Sequence, residues 1–313
     1  AGLSCAYYLA LLGYKPVVFE KNEKPGGMMT YGIPSYKLEK DVIEAEIEVL
    51  RQLGVSIRTS CQVGRDVTLD QLRQEGYKAF YVAVGCQGGR LPGIPNDTVE
   101  GTDYAVHYLQ ESLSGGQAPF KGKVVAIDCA MTAAKRGASE VSMISLETRE
   151  EMPASESEIA EAEEEKVQII NSWGPKEVLV DEQKKVKGLV LKRCTRTIDP
   201  ESGRFSPLYD EDETMTVEAD FIIFAIGQAI LWDGLLDGSK VKYHHGNYPM
   251  ADPLTFQTDE ADIFVGGDDF TGPKFVIDAI AQGHFAAESL HRYVRQAHMT
   301  IGRERHQYKA FDT

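Results

Sequence analysis

Apolar residues recur along this 313-residue chain at two periods, close to 3.6 in some stretches and as short continuous runs in others. Small and apolar side chains at helical spacing in AGLSCAYYLALLG predict a helix that stops at Gly13. The β-branched run that follows, YKPVVFE, predicts a strand ending at Glu20. Between Glu39 and Leu53, Val42, Ile43, Ile47 and Leu50 share one face of an amphipathic helix. VSIRTSCQV reads as a strand, and a helix capped by the Thr68 hydroxyl begins just after it. KAFYVAVG is almost continuously apolar and ends in glycine, the pattern of a strand buried on both faces of a parallel sheet.

The Gly- and Pro-rich stretch GCQGGRLPGIP is a connection, and a second α/β pattern starts at Lys121. KVV opens a strand, AIDCAMTAAKRGA reads as a helix ending at Gly137, and SEVSMISLE as the next strand. SESEIAEAEEE is a helix with a capping box, Ser155 answered by Glu158. VQIINSWGPKEVLVD, KVKGLVLKRCTRTI and TMTVEAD alternate as an antiparallel meander would. ADFIIFAIG repeats the glycine-terminated strand of YVAVG, ADIFVGGDD is a strand entering a turn, and a long helix runs from about Val276 to Val294. The expected architecture is α/β, with two Rossmann-like dinucleotide-binding domains and the second inserted in the first.

Composition removes several function classes. A net charge of -15 argues against wrapping nucleic acid, whose phosphates call for Lys and Arg. No apolar run reaches the roughly 18 residues of a membrane span, and no leader with a cleavage site is visible. Cys5, Cys61, Cys86, Cys129 and Cys194 are dispersed without a CxxC, so these residues offer neither a local redox thiol pair nor a cluster-ligand run. Reduced thiols and a cytoplasmic location are expected.

Candidate chemistry begins at the first residue. Ala1-Gly2-Leu3 opens a helix and Glu20 ends the next strand, which is the second half of a Rossmann unit whose first strand and glycines are expected upstream. A glycine there lets a pyrophosphate approach helix N–H groups, and the later carboxylate accepts from a ribose diol. Gly2 could equally be a packing glycine, and KPGGMMTYGIP an ordinary Gly/Pro loop.

Taken together, AGL, VFEKNEKPGGMMTYGIPSYKL, AVGCQGG, REEMPAS, FAIGQ and VGGDDFTGPKFVIDAIAQGHFAA resemble the glutamate synthase small (beta) subunit family along essentially the whole chain. Those proteins are FAD-dependent NAD(P)H oxidoreductases with two dinucleotide-binding domains. The resemblance implies an FAD-binding domain from residues 1–118 plus 226–313 and an NAD(P)-binding domain from 119–225. It implies FAD contacts at Gly2, Leu3, Glu20, Lys21, Gly27, Met28, Ile33, Val63, Ala83, Gly85, Gly267, Asp268, Lys274, Phe275, Val276 and Ala279. Asp268 would meet the ribityl or phosphate region, and the helix start at Lys274–Ile277 would aim N–H groups at the flavin pyrimidine, stabilising negative charge there.

For the nicotinamide nucleotide the resemblance implies Ala126, Asp128, Glu147, Arg149, Ile226 and Gly227. GKVVAIDCAMTA lacks the glycine turn that should follow its strand. Either about seven residues of strand and turn are missing between Lys123 and Ala126, or the turn is deleted and the second site is dead. Relatives that use NADPH carry an Arg pair where this chain has Leu146-Glu147. A carboxylate accepts from the 2′-hydroxyl of NAD and repels a 2′-phosphate, so NADH is expected over NADPH, with Arg149 near enough to serve NADP.

No catalytic acid or base is expected, because the seven histidines are scattered and hydride transfer needs placement and water exclusion rather than a proton relay. The resemblance implies electron delivery from NAD(P)H through FAD to an iron–sulfur acceptor. Any [4Fe-4S] cluster would lie outside these residues, in a partner subunit or domain, or in ferredoxin. Two alternatives stay open: a non-catalytic FAD-binding electron-transfer subunit with a degenerate nicotinamide site, and a disulfide or peroxide reductase.

Overall fold

The computed structural model describes residues 1–113, 122–126 and 129–303. These form two compact units: Ala1–Thr30, Tyr36–Gln87 and the described part of Ala229–Thr313 make the first, and the described part of Tyr31–Ser35 and Gly88–Gln228 the second. Residues 88–113, expected with the FAD-binding domain, cluster with the second unit.

The first unit begins with helix α1 (Gly2–Leu11) and strand β1 (Val17–Phe19), which pairs in parallel with β2 (Ser56–Arg58). Between them runs α2 (Lys40–Gln52), which buries Ile43 and Ile47, whereas Val42 is exposed. The buried stripe is thus narrower than the expected face, because Val42 stands about 100° around the helix from Ile43. Next come α3 (Leu69–Gln74) and β3 (Phe80–Val82). The expected Thr68 cap is present as a full capping box, Thr68 Oγ1 accepting from the Gln71 N–H and Gln71 Oε1 from the Thr68 N–H.

The second unit contains β4 (Thr102–Tyr104), α4 (Ala105–Leu113), β5 (Lys123–Ala126), α5 (Ala130–Lys135), β6 (Glu140–Ile144), α6 (Glu156–Glu164) and β7 (Gln168–Ile170). After these come β8 (Trp173–Val180), β9 (Val186–Ile198), β10 (Phe205–Glu218) and β11 (Phe221–Phe224). Strands β4, β11, β5, β6 and β7 form one sheet in that spatial order, all parallel. Strands β10, β9 and β8 form an antiparallel sheet. This corrects two expectations. VQII closes the edge of the parallel sheet instead of starting the meander, and the third meander strand starts at Phe205, well before TMTVEAD. Alternation alone cannot say which sheet an edge strand joins.

Strand β5 contains the expected strand start KVV. It runs unbroken for four residues and holds register with Val141 to Met143 on one side and Phe221 to Ile223 on the other. Its middle is fully buried because both sheet faces are covered. The glycine-free connection at 127–128, Asp128 included, lies outside the described residues.

The chain then returns to the first unit, with β12 (Ile263–Val265) parallel to β3, a one-turn helix α7 (Asp268–Thr271) and α8 (Val276–Val294). Phe264, Ala286, Ala287 and Leu290 pack with Cys5 into one core, so α1 and α8 lie on the same face of this strand pair.

Candidate functional site

Helices α1 and α8 run side by side in the same direction. Ser4 Oγ donates to the Ile280 carbonyl at 2.7 Å, the Tyr8 ring stacks on His284 at 3.9 Å, and Tyr14 Oη meets His291 Nδ1 at 3.0 Å. Backbone contact this close depends on Gly283. A Cβ there would overlap the Ala1 carbonyl oxygen and come within 2.8 Å of Ser4 Cβ. Neither helix start carries a side-chain cap, so two sets of first-turn N–H groups face the same end of the unit. Phe275 is 81% exposed and Ile277 68%, leaving an uncovered apolar lip at the start of α8. Lys274 is exposed beside them, Val276 largely so, and Ala279 is partly buried.

Most of the other expected FAD residues belong to the same unit. Glu20 follows β1, and its Oε1 accepts the Asn22 N–H at 2.8 Å. Burial pushes this carboxyl above its ordinary range, against the pull of the Asn22 N–H and of Lys21. Lys21 pairs with Asp233 at 3.6 Å. Gly27 and Met28 form the turn into a short helix, Met28–Tyr31, and Val63 packs beside the core that contains Val82 and Val265. Ala83 lies against α1, since a Cβ added to Gly2 would meet Ala83 Cβ at an ordinary 3.5 Å. Sterics with the protein therefore do not require glycine at position 2. Ile33 clusters with the second unit.

Between β12 and α8, Gly267 adopts φ 94°, which a side chain would resist, and donates its N–H to Gln282 Oε1 at 2.8 Å. Gln282 Nε2 donates in turn to Thr271 Oγ1 at 3.3 Å, so one side chain of α8 braces both ends of α7. Asp268, half-buried and pushed up by that burial, accepts the Lys274 N–H at 3.3 Å. Its neighbour Asp269, which the sequence reading passed over, is fully buried and accepts the Val84 N–H at 2.9 Å. Gln282, Gly283 and Asp269 carry no sequence signal of their own, since only the packing of α8 on α1 and of α7 on β3 gives them roles.

In the second unit, strand order reverses between β5 and β11, which makes their carboxyl ends the topological switch point where such sheets bind ligands. Ala126 ends β5 fully buried, and Ile226 and Gly227 follow β11 in an exposed turn with Gly227 at φ 117°. Glu147 stands just past β6, the next strand over, and its Oε2 accepts from Ser145 Oγ at 2.6 Å. Arg149 is exposed and tied to Glu163 at 2.7 Å. Among the described residues, no group of three or more His, Cys, Asp or Glu could hold a metal ion, and no helix is long and apolar enough to cross a membrane.

Two units, one carrying a five-stranded parallel sheet with a switch point and the other a parallel helix pair with free amino ends, define a two-dinucleotide fold. The chain belongs to the pyridine nucleotide-disulphide oxidoreductase family, whose model matches residues 1–283. It is 36% identical over 306 residues to the NADP(+)-dependent formate dehydrogenase subunit beta of Moorella thermoacetica, covering 95% of this chain and 43% of that one. It is 31% identical to the glutamate synthase [NADPH] small chain of Azospirillum brasilense, covering 94% and 65%. It is also 31% identical to the NAD-dependent dihydropyrimidine dehydrogenase subunit PreT of Salmonella typhimurium, covering 95% and 67%. The chain thus spans about half to two-thirds of the length of the curated relatives it matches. Mycobacterium tuberculosis FprA in complex with NADPH shares the fold at a TM-score of 0.75 and 15% identity, covering 95% of this chain and 83% of that one.

Proposed function

We propose that this chain is the flavin- and nicotinamide-binding part of an oxidoreductase that accepts electrons from NAD(P)H through FAD and delivers them to an iron–sulfur acceptor. The observation that carries the reading is the coexistence of a β5/β11 switch point in one unit with the paired, uncapped starts of α1 and α8 in the other. The names of the relatives, several of them subunits of larger oxidoreductases, support an electron-accepting partner subunit, with ferredoxin as the other candidate.

The residues present fit FAD in the first unit. Glu20 would accept from its ribose diol, the first turn of α1 at Gly2 and Leu3 would hold the pyrophosphate, and Asp268 would meet the ribityl chain. The start of α8, from Lys274 to Ala279, would face the flavin's pyrimidine edge. When bound, FAD would supply the exchange between two-electron and one-electron chemistry. The chain's own work is placement. Helix dipoles at α1 and α8 favour negative charge, the apolar lip at Phe275 and Ile277 excludes water, and no side chain has to move a proton.

In the second unit, Ala126, Ile226 and Gly227 would line the nicotinamide nucleotide and Glu147 would read its ribose. Glu147 supports NADH as the preferred donor, with its carboxylate oriented by Ser145 at the end of β6. Arg149 is engaged by Glu163, which weakens its candidacy for a 2′-phosphate. Several relatives carry NADPH in their names, so the test has to be direct: kcat/KM for NADH should exceed that for NADPH, and Glu147→Arg should reverse the order. NADPH preferred by the unaltered chain would defeat the assignment. Anaerobic NADH should bleach the flavin's visible absorbance. Bound FAD that stays oxidised under both nucleotides would instead favour the non-catalytic reading, which the glycine-free connection after β5 supports.

A further inference from the structure

Three polar side-chain atoms are enclosed in the first unit without a hydrogen-bond partner among the described residues, Asn22 Nδ2, Tyr81 Oη and Asp269 Oδ1. Buried polar groups in folded proteins are nearly always paired, so each exception calls for an explanation. Asp269 is the most costly of the three, because a carboxyl with no exposure is strongly disfavoured unless something uses it.

Its surroundings show what it joins. Asp269 sits in the single turn of α7, immediately after Gly267 and Asp268. Its Oδ2 accepts the Val84 N–H at 2.9 Å, reaching the turn that leaves β3. A second link runs the other way, from the Cys86 thiol to the Asp268 carbonyl at 3.2 Å. The turn 83–86 is therefore fastened to α7 at two points, and α7 is braced to α8 through Gln282. The two fastened segments carry Ala83 and Gly85 on one side and Gly267 and Asp268 on the other, all expected to line the same cofactor. Beneath them Tyr81 Oη lies against Gly266, where a Cβ would overlap it, so this layer is closely packed.

We propose that Asp269 is a positioning residue for the flavin nucleotide, latching the turn after β3 onto α7 so that both segments present their backbones to the cofactor at a fixed spacing. This rests on the reading that the first unit holds FAD. A medium-sized apolar residue would fill the same volume, but it would leave the Val84 N–H unpaired and the turn unfastened. Asparagine keeps a carbonyl oxygen for Val84 and the same shape.

The test uses the full chain, stripped of flavin and titrated with FAD itself. Asp269→Ala should weaken FAD binding about tenfold or more, and Asp269→Asn should stay within about threefold of the unaltered protein. Asp269→Leu and the urea midpoints of the FAD-free forms are measured beside these, because a filler role would let Asp269→Leu hold FAD as well as Asp269→Asn does, whereas a latch would not. Equal FAD affinity in Asp269→Ala, or equal weakening in Asp269→Ala and Asp269→Asn, overturns the proposal. Hydrogen exchange at the Val84 amide of the unaltered, FAD-loaded protein gives a reading that no misfolded variant can obscure. Slow exchange is expected there, and exchange at the rate of an open loop overturns the latch. Failure of the unaltered chain to take up FAD at all would instead strike the functional reading beneath it.

Discussion

A methyl group at position 283 would meet the Ala1 carbonyl oxygen and approach the Cys5 nitrogen to 2.9 Å, all of it backbone or first-turn structure that cannot swing away. Gly283→Ala gains up to about 1 kcal/mol of helix propensity, yet overpacking of this kind costs about 1–3 kcal/mol. The clash should win. Net destabilisation in urea, with weaker FAD retention because α1 and α8 splay, is the expected outcome, and an unchanged midpoint would show that the helices separate freely. The buried acids give a second prediction at this scale. Burial, reinforced by Asp268, holds the Asp269 carboxyl well above its ordinary range in the FAD-free fold. Stability linked to that proton is complete below the unfolded-state value of about 3.9 and is lost as pH rises through the higher folded value. Asp269→Asn cannot ionise, so it should lose less stability than the unaltered chain between about pH 4 and pH 8. Parallel losses in urea midpoints at the two pH values would place the titration elsewhere. Sequence reading reached Glu20 and Asp268 through spacing and resemblance. It had no means of reaching Asp269, whose importance comes from a backbone N–H 185 positions away in the chain.

Elements whose signals are local were legible. The long helix Val276–Val294 was expected at those bounds, and the Thr68 cap and the Ser155 capping box were readable because each is written within four residues. Ser155 Oγ accepts the Glu158 N–H at 3.3 Å, so Ser155→Ala should cost α6 about 1 kcal/mol. Thermal unfolding would check this, and nicotinamide kinetics should be unaffected, since α6 carries no expected site residue. Strand membership was less legible. Gln168–Ile170 and Trp173–Val180 are separated by two residues and read as one alternating run, yet they join different sheets. Period-2 alternation fixes which face a residue takes, while the pairing partner depends on what tertiary structure brings alongside.

At the scale of the whole molecule, two compact units imply two separable binding events. Gly227 adopts φ 117° just past β11, and among the described residues a Cβ there would find only Arg90 at 3.7 Å, so backbone strain resists substitution. Gly227→Val should lower kcat/KM for the nicotinamide nucleotide by about tenfold, a barrier change of about 1.4 kcal/mol, while leaving FAD stoichiometry intact. Loss of FAD in that variant would mean that the two sites do not load independently. The sequence by itself determined the α/β class, the bounds of the long helix α8 and the positions of both glycine-ended strands, because periodicity, caps and turns are short-range facts. Tertiary structure decided the order of the parallel sheet and hence the switch point. It also decided the unbroken pairing of β5, the parallel seating of α1 on α8 through a bare glycine, and the burial of a carboxyl between two turns far apart in the chain. Each of those depends on which surfaces meet, and residues a hundred or more positions apart carry no spacing that encodes such a meeting.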